Sequence, residues 1–150
     1  MFKISPMEYQ DLADASHLVT DLRSSMNGRI VCTPAEMREV LALALDAPDY
    51  HGFLARNEES KAVGYIGLNR RFAIYAGGAF YQITELFTAP DARRTGVAQG
   101  LIHTAENLAR DAGLSSIELG APRRETHPGT HAFYEAMGYA VVGPRLSKSI

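Results

Sequence analysis

Three runs of strand character follow one another too closely for a helix to pass between them. Residues 51–56 and 62–74 flank Asn57-Glu58-Glu59-Ser60-Lys61, a polar turn. Ala76-Gly77-Gly78 makes a second turn, and residues 79–88 follow as a run rich in β-branched and aromatic side chains. A parallel pair would need a crossover of about a dozen residues or more. The three runs are therefore expected to form an antiparallel meander, and the rest of the chain must cover it.

Helical patterns lie on both sides of this meander. Residues 2–5 read as a short first strand, with Pro6 at the following turn. Residues 6–26 and 33–46 read as helices. Thr33-Pro34-Ala35-Glu36 opens the second, with Thr33 as N-cap, Pro34 at the first helical position and Glu36 completing a capping box. Met37, Val40, Leu41, Ala44 and Leu45 then follow the helical period, and Ala47-Pro48-Asp49 ends it. A third helix is expected over 96–112, with Val97, Leu101, Ile102, Ala105, Leu108 and Ala109 on its apolar face and Gly113 as its C-terminal cap. Residues 116–119 form a short strand, which a strand–helix–strand unit would set parallel to the third strand of the meander. Thr126-His127-Pro128 starts a last helix that Gly138 stops, and residues 139–142 and 146–150 read as terminal strands.

Composition narrows the class. A chain of 150 residues suits one domain spanning 1–150, long enough to bury a core without disulfides or metals. Hydrophobic residues make up 46% and charged residues 21%, which excludes a disordered chain. A net charge of −2 gives no bulk attraction for nucleic acid. The single Cys32 excludes an internal disulfide and a multi-cysteine zinc site. No apolar run reaches the roughly 20 residues of a membrane span, and Met1-Phe2-Lys3-Ile4-Ser5-Pro6 is no signal peptide. The expectation is a cytoplasmic domain with neither nucleic acid nor membrane as partner.

The chemistry concentrates in residues 80–102. A hydrophobic strand runs into Arg93-Arg94-Thr95-Gly96-Val97-Ala98, which opens a helix. Free N–H groups at a helix N-terminus favour an anion. Gly96 and Ala98 let a ligand approach the backbone, and two arginines add positive charge. These features suit a pyrophosphate. The loop is neither a Walker loop, which ends Gly-Lys-Ser/Thr, nor a three-glycine dinucleotide fingerprint.

Arg93-x-x-Gly96-x-Ala98 follows Glu85-Leu86-Phe87-Thr88-Ala89-Pro90, and a later helix carries Phe133-Tyr134-Glu135-Ala136-Met137-Gly138-Tyr139. With these motifs the chain resembles the GNAT superfamily of N-acetyltransferases, whose signature is Arg/Gln-x-x-Gly-x-Gly/Ala with a late Phe-Tyr-x-x-x-Gly-Phe/Tyr. The resemblance spans nearly the whole chain. It implies an α/β fold with a mixed, mostly antiparallel sheet flanked by about four helices. It also implies acetyl-CoA as cosubstrate, its pyrophosphate held at Arg93, Arg94, Thr95, Gly96, Val97, Ala98 and Gln99. Its pantetheine arm would pair like a strand with Leu86, Phe87 and Thr88, beside a bulge expected near Glu85 or Leu86. His127 stands where many relatives have asparagine.

Acetyl transfer from a thioester to an amine requires the ammonium to lose a proton and the departing thiolate to gain one. By resemblance, Tyr134 protonates the thiolate. Glu85 interrupts an apolar strand and is the base candidate, because partial burial raises a carboxylate toward the useful range; Glu118 is the second choice. Each has a plainer reading, Tyr134 as packing on the last helix and Glu85 as an outward-facing strand residue. His127 and His131 are four apart, but no third zinc ligand accompanies them, and no metal site is expected. His131 is a candidate for the acceptor pocket, Arg123 and Arg124 for a 3′-phosphate, and Tyr65, Tyr75 and Tyr81 for an aromatic wall. In the family the acceptor pocket lies near residues 20–35 and 69–79 here, with Arg23, Ser24, Ser25, Met26, Asn27, Gly28 and Arg29 as an expected mobile lid. Arg23, Arg29, Arg70 and Arg71 favour an acidic acceptor. The expected activity is N-acetylation of a primary amine of a small molecule or peptide by direct attack in a ternary complex. A non-catalytic acyl-CoA-binding regulatory domain is the alternative, and a homodimer through a strand edge is left open.

Overall fold

The meander forms as expected. In the computed structural model, which describes residues 1–26 and 32–150, β1 (Phe2–Pro6), β2 (Tyr50–Asn57), β3 (Ala62–Ala73) and β4 (Gly78–Thr88) pair in sequence order, each antiparallel to the next. With β5 (Ile117–Leu119) they make a five-stranded sheet of order β1-β2-β3-β4-β5. The chain forms two compact units, Met1–Glu118 and Leu119–Ile150.

The first unit puts helices on both faces of its sheet. After one turn of 3-10 helix at Tyr9–Asp11, α1 (Leu12–Met26) packs with α2 (Pro34–Asp46) over one face. Leu12, Ala15, Leu18 and Leu41 meet Leu54, Tyr65 and Phe87 there. The expected single helix over 6–26 thus begins later, because Pro6 is still in β1 and its neighbour Met7 donates its N–H to Gly52 O at 2.8 Å. The Thr33–Glu36 capping box forms as read: Thr33 Oγ1 accepts from Glu36 N–H at 3.2 Å, and Glu36 Oε2 accepts from Thr33 N–H at 2.8 Å. On the other face lies α3 (Val97–Asp111), burying Val97, Leu101, Ile102, Ala105 and Ala109. The approach is close because Gly64 has no side chain: a Cβ there would lie 2.6 Å from Val97 Cγ1 and 3.0 Å from Leu101 Cδ1. Neighbouring strand residues point to opposite faces, so Gly64 meets α3 while Tyr65 meets α1.

The second unit carries α4 (Pro128–Ala136), closed at Met137 and Gly138. The terminal strands expected over 139–142 and 146–150 do not form. Residues 137–150 contain no strand, and Val141, Val142, Leu146 and Ile150 are exposed. Gly143, with φ +148°, and Pro144 interrupt the run. Apolar content alone does not make a strand where no ladder partner takes its N–H and C=O groups. No helix of the described residues is long and apolar enough to cross a membrane.

Candidate active site

The site starts from an irregularity in β4. Gly67 pairs with Glu85, but the next β3 residue, Leu68, pairs with Ile83, so Thr84 is one residue too many. This bulge lies one residue before the expected position. It sets Glu85 on the same face as Phe87 and Tyr65, beneath α1 and α2. Burial pushes the Glu85 carboxyl above its ordinary range, although hydrogen bonds from Thr84 Oγ1 and from Tyr50 Oη, at 3.3 Å, oppose that shift. No cation pairs with it among the described residues.

Tyr50 is the residue that sequence reasoning missed. Its hydroxyl lies 2.6 Å from the Tyr65 hydroxyl. Burial drives both phenols well above their ordinary range, so both keep their protons. Since each hydroxyl has one proton, donation from Tyr50 to Glu85 leaves Tyr65 to donate to Tyr50. Two glycines make room for this chain. Gly52 and Gly67 face each other across β2 and β3. A Cβ at 67 would collide with the Tyr50 hydroxyl and the Glu85 carboxylate, and one at 52 would lie 2.7 Å from Tyr65 Oη. Glycine inside an apolar strand, as in Gly64-Tyr65-Ile66-Gly67, is the signal that could have located the spot. Beside Glu85 and Tyr50 lies a cavity of about 110 Å³, walled by side chains of α1 and α2.

Further along β4, Phe87 is buried in the core, Leu86 is half-buried, and Thr88 Oγ1 is buried without a hydrogen-bond partner. β5 has three residues against eleven in β4, so most of the β4 edge away from β3 lacks a strand partner among the described residues. The chain then turns through Pro90–Ala92 into the loop. Arg93 Nε reaches Thr88 O at 3.5 Å, and Thr95 Oγ1 donates to Ala92 O at 2.5 Å. Arg94 has φ +62° and Gly96, the N-cap of α3, has φ +90°. The first helical bond runs from Gly100 N–H to Gly96 O at 2.9 Å. The N–H groups of Gly96, Val97, Ala98 and Gln99 are therefore the orphan donors of the helix, and they, like those of Arg94 and Thr95, meet no main-chain acceptor among the described residues. Arg93, Arg94, Thr95, Gly96 and Gln99 are exposed, whereas the Val97 side chain is buried under the sheet. This cradle is backbone, with two arginines beside it.

In the second unit, Tyr134 is half-buried on α4 between Phe133 and Tyr139, with ring centroids 5.5 and 6.2 Å away. Burial raises its pKa. His131 Nε2 contacts Pro122 O at 2.5 Å, and His127 Nδ1 contacts Thr126 Oγ1 at 2.9 Å, so each ring already has a partner. Arg124 is paired with Glu135, while Arg123 is exposed.

Other candidates disperse. Glu118 accepts from the exposed Tyr75 at 3.1 and 3.2 Å. Tyr81 is buried against His51, and of the three expected wall tyrosines Tyr65 is the one that reaches Glu85 through Tyr50. Of the expected lid, Arg23, Ser24, Ser25 and Met26 belong to α1, so that part is helix. Asn27, Gly28 and Arg29 lie outside the described residues.

A model of the family described as acetyltransferase (GNAT) matches residues 17–139. No curated protein matches the chain in sequence. Among solved structures, a transcriptional regulator from Bacillus halodurans is similar with a TM-score of 0.85 at 19% identity, covering 100% of both chains. A ribosomal-protein-alanine N-acetyltransferase from Brucella melitensis biovar Abortus gives 0.78 at 18% identity, also over 100% of both. An aminoglycoside N-acetyltransferase in complex with CoA gives 0.83 at 16%, over 100% of this chain and 95% of that one. At these identities the likeness is one of fold.

Proposed function

The chain belongs to the acetyltransferase (GNAT) family, and on that premise we propose that residues 1–150 act as one domain that carries the acetyl group of acetyl-CoA to a primary amine of a small molecule or peptide, by direct attack in a ternary complex. One observation carries this reading. A single strand, β4, bears the uncompensated carboxylate of Glu85 at its bulge and leads, past the unpartnered Thr88 hydroxyl, into a helix start with free N–H groups.

These residues fit the proposed cosubstrate. The N–H groups from Arg94 to Gln99 suit a pyrophosphate, and the helix dipole adds to their pull. Most of the β4 edge away from β3 lacks a strand partner among the described residues, which suits an extended amide-bearing arm pairing as a strand would at Leu86, Phe87 and Thr88. When bound, acetyl-CoA supplies the activated thioester. Glu85 receives the proton of the ammonium, directly or through one water, and its raised pKa brings it nearer the range in which a base is effective. Tyr50 and Tyr65 hold the carboxylate in one orientation. Tyr134, kept protonated by burial, delivers a proton to the departing sulfur.

Thiol release from acetyl-CoA across a panel of amines tests the proposal. Tyr134→Phe is expected to lower kcat roughly 10²–10⁴-fold while acetyl-CoA affinity stays within a few-fold of wild type. Stabilisation by acetyl-CoA without thiol release from any amine would leave the chain an acyl-CoA-binding regulator. Undiminished turnover in Tyr134→Phe would reduce that tyrosine to packing.

A further inference from the structure

The cavity beside Glu85 has a composition that the acetyl-transfer reading does not require. Among the described residues its walls are Val19 on α1 and Met37, Val40, Leu41 and Ala44 on α2, all apolar, and its polar groups come from Tyr50 and Glu85. Arg23, Arg70 and Arg71, which in sequence favoured an acidic acceptor, are not among the lining residues. Among the described residues the space therefore has one acidic side chain, the tyrosine hydroxyl that donates to it, and an apolar remainder.

We infer that the acceptor is a primary amine on a short aliphatic tail, its ammonium at Glu85 and its tail among Val19, Met37, Leu41 and Ala44. This rests on the acetyl-transfer reading for the fate of the amine, but the pocket's selectivity is a separate matter. A half-buried carboxylate with only hydroxyl partners lacks a counter-ion, and desolvating it that way is costly. A ligand ammonium supplies the missing charge. The apolar walls offer nothing to a second charge or to a hydroxyl, so a polyamine or an amino sugar would leave polar groups buried without partners. Size sets the length of the tail. An apolar cavity of about 150 Å³ holds benzene, so a cavity of about 110 Å³ takes a tail of about four to five carbons.

A series from ethylamine through butylamine and isoamylamine to octylamine, with putrescine and glutamate as polar controls, tests this. Each buried methylene is worth about a fourfold gain. From ethylamine to isoamylamine kcat/KM should thus rise roughly sixty-fold, then level or fall at octylamine, with both controls below ethylamine. Ala44→Leu, which partly fills the cavity and keeps a good helix former in α2, should move the optimum to a shorter tail and lower the isoamylamine-to-ethylamine ratio of kcat/KM. A flat series, or a controls-first ranking, overturns the inference and leaves acetyl transfer standing. If no amine releases thiol, the catalytic reading fails instead. Saturation-transfer NMR of isoamylamine with the wild-type protein and coenzyme A then decides the pocket on its own. Transfer to the isoamyl methyl groups that Ala44→Leu abolishes supports it, and no transfer overturns it.

Discussion

Glu85 carries opposite consequences for folding and for reaction. Burial raises its pKa in the folded chain above the unfolded value, so the native state holds the proton more tightly. The stability this contributes is full below the ordinary carboxylate range and is lost as pH rises through the folded pKa. Glu85→Gln should remove that dependence, leaving the variant at least as stable as wild type at neutral pH in denaturant titrations at several pH values. The rate behaves in the reverse sense. A base must be ionised, so wild-type kcat/KM should climb with pH and level above the Glu85 pKa, and Glu85→Gln should lose this limb and at least tenfold in rate. Two amines of different pKa separate the alternatives. A limb that follows the amine in both proteins, with most activity kept in Glu85→Gln, would assign deprotonation to a water chain. Glu85 was legible in the sequence because it interrupts an apolar strand. Tyr50 was not, since it comes from another strand and reaches the site only through the glycine pair at 52 and 67.

At the scale of elements, the start of α3 joins strand to cradle. Gly96→Glu would place a side chain at φ +90° and a carboxylate at the positive end of a helix. The added Cβ has open space, its nearest neighbour being Phe2 Cε1 at 3.9 Å. The stability cost should therefore be that of left-handed backbone alone, about 1–2 kcal/mol. Binding should suffer far more. Wild type at a hundred times the dissociation constant gains about 2.7 kcal/mol from acetyl-CoA, a shift that Gly96→Glu should abolish in a thermal melt. An equal shift in both proteins would move the pyrophosphate elsewhere. This element was readable because its signals are local: a strand, a glycine and then a helical period. The Thr33 capping box was readable for the same reason. The bulge at Thr84 was anticipated only to within a residue, since register depends on the partner strand. The terminal strands failed because Gly143 and Pro144 interrupt the segment and ladder formation depends on a neighbouring strand, which the residues of 139–150 cannot specify by themselves.

At the scale of the molecule, order is unevenly supported. β3 buries six consecutive residues, Val63, Gly64, Tyr65, Ile66, Gly67 and Leu68, and α3 buries five. Residues 119–150 bury none. Their helix α4 has nine residues, too few to hold itself in water, and the exposed Arg124–Glu135 pair adds little. Local opening should therefore cost α4 much less than the global unfolding that exposes β3. Hydrogen exchange should show α4 amides from His131 onward, the first one bonded within the helix, exchanging at least a hundredfold faster, relative to intrinsic rates, than those of Tyr65 and Ile66. Acetyl-CoA provides the second half of the test. If the Tyr134 hydroxyl serves the thioester sulfur, saturating ligand must hold α4 closed, and its protection should rise more than that of β3. Tyr134→Phe should retain most of that rise, because the ring remains and only the proton is lost. Amides of α4 as slow as those of β3 without ligand would show that the second unit shares the core's stability. Amides of α4 that ignore acetyl-CoA while the loop at Arg94 to Gln99 responds would remove Tyr134 from the reaction and leave thiolate protonation to solvent.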